Sequence, residues 1–135
     1  MTWCTPQDFF DELDQEFHFQ LDAASTDKST KCEKHYTPET DGLSQSWDVG
    51  GTVWCNPPYG KAIGDWVRKA YEESLRGVTT VMLIPSRTDT RYFHDYIYGN
   101  AEIRFLKGRL KFTDEDGVPG GTAPFPSMLV IFHGV

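Results

Sequence analysis

The chain has 135 residues, 39% of them apolar, and a net charge of −7, which fits one compact domain around one core rather than two. Its start, MTWCTPQDFF, lacks the basic and apolar stretches of a secretion signal, and no window approaches membrane-spanning length, so a cytoplasmic protein is expected. Three cysteines, Cys4, Cys32 and Cys55, are odd in number and without C-x-x-C spacing, which argues against a disulfide framework or a zinc knuckle and for reduced thiols.

In chain order, Thr5-Pro6 followed by QDFFDELDQEF predicts an amphipathic helix, with Thr5 as its cap, Pro6 at the first helical position, and Phe9, Phe10, Leu13 and Phe17 on one face. FHFQLDAAS alternates and then turns small and polar, as a strand running into a loop near Asp22 does. Residues 25–51 are polar and aperiodic, a long, partly ordered connection of the kind that often carries function. TVWCN reads as the second strand. AIGDWVRKAYEESLR then places Ile63, Trp66, Val67, Ala70, Tyr71 and Leu75 on one helical stripe that Gly77 ends. TTVMLIP is apolar on both faces, as a central parallel strand is. DTRYFHDYIYG predicts a shorter helix, AEIRFLKGRLKF a strand with a turn near Gly108, and SMLVIFH a last apolar strand. The alternation of strand and helix gives the α/β class, with a mainly parallel sheet in one domain over residues 1–135.

The net charge conceals an asymmetry. Residues 1–60 carry 3 basic and 11 acidic side chains, residues 61–111 carry 10 and 6, and residues 112–135 add −3. A positive middle in an acidic protein can contact phosphates while the remainder limits nonspecific binding; an uneven solvated surface is the plainer account. In open α/β sheets, ligands gather at the carboxyl ends of the strands. Asp22, NPPYG at 56–60 and PSRTD at 85–89 all fall at such ends.

NPPYG suits one task in particular. An aromatic exocyclic amine is a poor nucleophile, because its lone pair is delocalised into the ring. The Asn56 side-chain oxygen and the Pro57 carbonyl can accept its two hydrogens and position the nitrogen for attack. Pro57 and Pro58 stiffen the turn, Tyr59 offers a flat face on which a base can stack, and Gly60 removes a side chain from the approach. A Pro-rich turn after a strand is the bland alternative. Asn56 is expected on the rim of the fold, where its loss costs activity and leaves folding intact.

Here the sequence resembles a family. NPPY is the signature of amino methyltransferases that use S-adenosylmethionine, and the stretches WCTPQDFFDEL, FHFQLDAAST, TVWCNPPYG, VMLIPSRTDTRYFHDYI, IRFLKGRLKF and APFPSMLVIF together resemble the phage-type Dam DNA N6-adenine methyltransferases. The resemblance implies a compact Rossmann-like class I methyltransferase fold with an antiparallel last strand. It further implies transfer of a methyl group from S-adenosylmethionine to the N6 amine of adenine in double-stranded DNA, with the base flipped out of the duplex, in the cytoplasm of a bacterial host.

On this resemblance Asp22 holds the methionine part of the cofactor, although the usual glycine-rich fingerprint is missing there; an aspartate in a strand-end Asx turn explains the same residue. Thr5 and Pro6 resemble a Thr-Pro motif that contacts the cofactor carboxylate, and helix capping explains them equally well. Asp41, fifteen residues before Asn56, matches the spacing of an acid that binds the cofactor adenine; a solvated loop aspartate is the alternative. Arg87, Arg91, Lys107, Arg109 and Lys111 become expected DNA phosphate contacts. His18, His35, His94 and His133 form no metal-ligand pattern, so no metal is expected. Trp47, Trp54 and Trp66 are read as core rather than base-stacking. No separate target-recognition domain stands out, which leaves residues 25–51 and 113–124 for base readout, or a second subunit in a homodimer. The rivals are methylation of an RNA base or a glutamine amide, and a noncatalytic nucleic-acid-binding domain of the same fold.

Overall fold

The computed structural model describes residues 3–135. One five-stranded sheet runs through it in the order β1-β2-β3-β5-β4, with β1 Phe19–Asp22, β2 Thr52–Cys55, β3 Thr80–Pro85, β4 Glu102–Phe105 and β5 Ser127–Phe132. β1, β2 and β3 are parallel neighbours. β5 lies antiparallel between β3 and β4, so β4 again runs with the first three strands. The carboxyl ends of four strands therefore share one edge of the sheet with the start of β5.

Two helices, α1 Gln7–Phe17 and α2 Ile63–Ser74, cover the sheet. Successive strand residues point to opposite faces, and the core divides accordingly. Leu21, Val53, Cys55, Met82, Ile84, Met128 and Val130 pack with Ile63, Trp66, Val67 and Ala70 of α2, whereas Phe19, Trp54, Val81, Leu83, Leu129 and Ile131 pack with Phe10 and Leu13 of α1. Every residue of β3 and β5 is buried, which is why both read as apolar runs. The antiparallel last strand and the mixed α/β architecture agree with the sequence expectation.

Several local expectations change. Pro6 rather than Thr5 occupies the cap position of α1, its carbonyl accepting the Phe10 N–H at 3.1 Å, and no side chain caps the helix. Leu75, expected on the apolar stripe of α2, lies beyond the helix end and is 59% exposed. Residues 91 and 92 begin a helix that widens into a π turn at Phe93–Ile97, closed by the Tyr98 N–H on the Phe93 carbonyl at 2.7 Å. This turn buries Phe93 and Ile97 together. β4 stops at Phe105, and the chain turns at Gly108, whose φ is +77. The turn near Gly108 is as expected, but no strand follows it, and Lys107, Arg109 and Lys111 lie exposed on the irregular segment around it.

Within residues 25–51, the stretch from Gly42 to Trp47 packs against α2, whereas Lys31, Lys34 and Tyr36 bond to Asp22 at the end of β1. Trp47 is fully buried and stacks on Trp66 at 6.2 Å. Its indole N–H donates to the Gly42 carbonyl at 2.9 Å, and its backbone N–H donates to the buried Glu73 carboxylate at 3.3 Å. Lys69 pairs with the same carboxylate at 2.9 Å, so the buried charge has a partner. This chain of bonds fixes a short 3₁₀ turn, Gly42–Ser44, over the carboxyl edge of the sheet. No helix among the described residues is long and apolar enough to cross a membrane.

Candidate active site

A cavity of about 370 Å³ opens at the shared strand edge, within the range of small-molecule sites, roughly 300–1,000 Å³. Thr5, Asp22, Asp41, Asn56, Pro57, Pro58 and Tyr59 all line it. Seven residues singled out from the sequence thus meet in one place. Pro6 stands outside the lining, as do Arg87, Arg91, Lys107, Arg109 and Lys111.

Asn56 follows β2 directly, half-buried, and its amide is held at both ends. The Nδ2 group donates to the Trp3 carbonyl at 2.6 Å and to the Thr5 hydroxyl at 3.1 Å. A carbonyl can only accept, so this contact fixes which end of the amide is nitrogen. Oδ1 accepts from the Tyr59 hydroxyl at 2.8 Å. Tyr59 also reaches the Leu83 carbonyl at 2.9 Å, and one phenolic proton must serve both acceptors. Burial holds the Tyr59 phenol well above its ordinary range, which keeps it a neutral donor. Its ring packs edge-on against Phe112 and Phe125, at 6.2 and 5.7 Å. Among the described hydrogen bonds none ends on the Pro57 carbonyl. Gly60 has φ +126 with open space around it, so the backbone conformation itself favours glycine there.

Asp22 closes β1 and is 2% exposed. Its carboxylate accepts the Lys31 N–H at 3.0 Å and the Ala24 N–H at 3.3 Å. The contact with Ala24 is the Asx-type turn the sequence allowed, and the residue also faces the cavity. Burial pushes the carboxyl up from its ordinary 3.8 to about 6, against the two backbone donors and the nearby His35 and Lys31. The folded value lies above the unfolded one, so this group's contribution to stability is fully present below about pH 4 and is lost as pH rises through about 6. Asp22→Asn removes that loss. Relative to wild type, the variant is expected to gain stability on the order of 3 kcal/mol between pH 4 and pH 7, measured by denaturant melts. A pH-independent difference between the two proteins would place the titration elsewhere.

Asp41 is exposed and left-handed at φ +55, a rare conformation for a non-glycine residue. Next to it, a Cβ on Gly42 would stand 2.3 Å from the Ala23 carbonyl oxygen. Sequence reasoning overlooked Gly42, although the Asp-Gly step is a turn signal. It also passed over Trp3, which acts through its backbone, and Lys31, Tyr36 and Trp66, which line the cavity. The Ser25 hydroxyl in the lining is buried without a partner among the described residues. Cys4 lines the cavity too, but burial first and Glu115 second raise its thiol, leaving a protonated, weakly nucleophilic sulfur. All three cysteines are free. Among the described residues no group of three or more His, Cys, Asp or Glu is arranged to hold a metal ion.

Arg87, Arg91, Lys107, Arg109 and Lys111 are exposed on the segments that follow β3 and β4, at the cavity's edge of the sheet. None of the five forms a salt bridge among the described residues, whereas Lys28, Arg68, Lys69, Arg76 and Arg104 do. Arg109 donates to the Ala123 carbonyl at 3.3 Å, which ties it to the segment that leads into β5. The two long loops meet near this edge, where Thr26 donates to Glu115 at 2.9 Å and Lys28 pairs with Asp116 at 2.6 Å.

Residues 1–134 match the family described as DNA N-6-adenine-methyltransferase (Dam). The chain is similar to the DNA N-6-adenine-methyltransferase of Escherichia phage T1, 33% identical over 116 residues that cover 85% of this chain and 48% of that protein. It is also similar to the DNA N-6-adenine-methyltransferase of Haemophilus phage HP1 (strain HP1c1), 31% identical over 135 residues, 97% of this chain and 78% of that protein. The chain thus spans about half the length of the first relative.

Proposed function

The chain belongs to the DNA N-6-adenine-methyltransferase (Dam) family, and from that premise we propose that it transfers a methyl group from S-adenosylmethionine to the N6 amine of adenine in double-stranded DNA. The observation that carries the reading is the fixed amide of Asn56 in the lining of the cavity. The residues present fit the cofactor. The buried Asp22 carboxylate, the unpartnered Ser25 hydroxyl and the close-packed Asp41-Gly42 turn would hold it, in a Rossmann-like class I arrangement of the parallel strands. When bound, it supplies an electrophilic methyl group on sulfur.

The remaining chemistry belongs to the protein's own residues. Because the N6 amine lies inside the duplex, the adenine must be flipped out to reach the cavity. There its ring stacks on Tyr59, while Asn56 Oδ1 and the Pro57 carbonyl accept the two amine hydrogens and turn the nitrogen lone pair out of conjugation. The nitrogen would form its new bond to the methyl carbon as that carbon's bond to sulfur breaks, its electron pair leaving with the sulfur as a neutral thioether, and the amine would then shed a proton to water. No strong base is needed for that step.

DNA would lie along the strand edge, with phosphates on Arg87, Arg91, Lys107, Arg109 and Lys111. The loops at 25–51 and 113–124, joined by Thr26 and Glu115, are the material available for base readout. Arg109→Glu is expected to weaken DNA binding and to lower the slope of log affinity against log salt by about 0.9, with cofactor affinity unchanged. An unaltered slope in a filter-binding titration would return Arg109 to the solvated surface.

The reading as a whole is tested by incubating the purified chain with labelled S-adenosylmethionine and unmethylated DNA, then separating the nucleosides. N6-methyladenine is expected. Label found only in RNA or in protein glutamine, offered in parallel, would replace this reading with one of those substrates, and binding without turnover would make the chain a noncatalytic module.

A further inference from the structure

We infer that Thr5 is a positioning residue for Asn56, and that the Trp3–Thr5 segment makes the Asn56 amide an acceptor-only group toward the cavity. The inference deepens the proposed function and rests on it. A free asparagine amide offers two donors and one acceptor oxygen with two lone pairs. Here both amide hydrogens are spoken for, one by the Trp3 carbonyl at 2.6 Å and one by the Thr5 hydroxyl at 3.1 Å. Oδ1 takes one bond from Tyr59 at 2.8 Å, which leaves one lone pair for a ligand. Toward the cavity Asn56 can therefore accept but not donate. An exocyclic amine satisfies it, while an oxo group at the same ring position would face an acceptor and be rejected.

Thr5 reaches Asn56 across the fold. It is 2% exposed and supplies no cap to α1. Its segment is pinned on the far side by a two-bond bridge, Cys4 N–H to the Thr113 carbonyl at 3.1 Å and Thr113 N–H to the Cys4 carbonyl at 2.9 Å. The Phe112–Thr113 stretch begins the loop proposed for base readout, so the contacts of that loop and the orientation of the amide share one short rigid link. A helix cap or a cofactor contact would require none of this.

The test uses Thr5→Val, which keeps the shape and removes the acceptor, and Thr5→Ser, which restores a hydroxyl. The chain has two asparagines, Asn56 and Asn100, so nitrogen-labelled asparagine gives two side-chain amide pairs in an NMR spectrum, assigned with Asn56→Ala. In Thr5→Val the Asn56 pair is expected to shift and to exchange with water about tenfold faster, with kcat lower by about fivefold to tenfold, the loss of one net hydrogen bond. KM for DNA is expected to stay within about twofold, and Thr5→Ser to recover both readouts. The amide signals answer the question even if the wild type methylates no DNA, in which case the functional reading falls alone. Unchanged Asn56 signals with unchanged kcat in a folded Thr5→Val protein would overturn the inference, as would weakened cofactor binding as its sole effect.

Discussion

Asn56→Ala is expected to lower kcat for methyl transfer by about a hundredfold to a thousandfold, the range found when one preorganised hydrogen-bonding group is removed from a reacting centre. The substrate amine would lose the acceptor that turns its lone pair toward the methyl group, and no neighbouring side chain replaces that oxygen. KM for the cofactor should change little, because Asp22 and the Asp41-Gly42 turn are untouched. A rim residue would be removed at no cost to the fold, and the structure corrects that expectation. Asn56 ties Trp3, Thr5 and Tyr59 together, so the variant leaves the Trp3 carbonyl and the Thr5 hydroxyl short of a partner, while the Tyr59 hydroxyl keeps the Leu83 carbonyl. A loss of stability of about 1–3 kcal/mol should accompany the loss of rate. Turnover should therefore be measured well below the melting temperature of the variant. Near-normal kcat in folded protein would remove Asn56 from the chemistry.

Gly42→Ala is expected to weaken S-adenosylmethionine binding by about tenfold to a hundredfold, and to destabilise the protein by about 1–3 kcal/mol, as overpacking does. The added methyl would sit 2.3 Å from the Ala23 carbonyl and about 3.1 Å from the Trp66 ring. Neither neighbour can yield: Ala23 N–H is bonded to the Trp54 carbonyl at 2.9 Å, and Trp66 is stacked on Trp47. The turn itself must lift, carrying Asp41 away from the cavity. Calorimetric titration with the cofactor reads this directly, and wild-type affinity in Gly42→Ala would mean that the turn takes no part in binding. Gly60→Ala is the control, since its methyl meets nothing within 4 Å and the cost there is backbone strain alone.

The strands were legible because each is a short apolar run bounded by turn residues, and burial on both faces of β3 and β5 leaves no other reading of TTVMLIP and SMLVIF. The convergence of Asp22 and NPPYG followed from the strand-end rule, which needs only strand direction. Three things were hidden. Thr5-Pro6 looks like a helix start, and it is one, but the threonine side chain is drawn to Asn56 by a contact across 51 positions that no local pattern encodes. The order of residues 25–51 comes from contacts far apart in sequence, those of residues 31–36 with Asp22 and that of Trp47 with the buried Glu73, a polar residue on α2 whose partner lies 26 positions away. The partner of the Tyr59 hydroxyl was hidden as well, because a tyrosine after Pro-Pro suggests a stacking face and its bond to Asn56 appears only when the turn is closed.

The placement of β5 has a consequence for how the protein is made. β5 is synthesised after β4, yet it lies between β3 and β4, and among the described residues β4 touches the sheet through β5 alone. While residues 127–132 are still inside the ribosome, the emerged chain can form β1, β2 and β3, but β3 then presents an unpaired edge made of residues that are apolar on both faces. Such an edge is a template for pairing with another nascent chain, and translation at about 5–20 residues per second leaves it open for seconds. A trigger-type chaperone would matter most in that interval. Once β5 inserts, the outer edges of this sheet are guarded, β1 by its hydrogen bonds to Lys34 and Tyr36 and β4 by the charges of Glu102 and Arg104, and the exposure of β3 ends there.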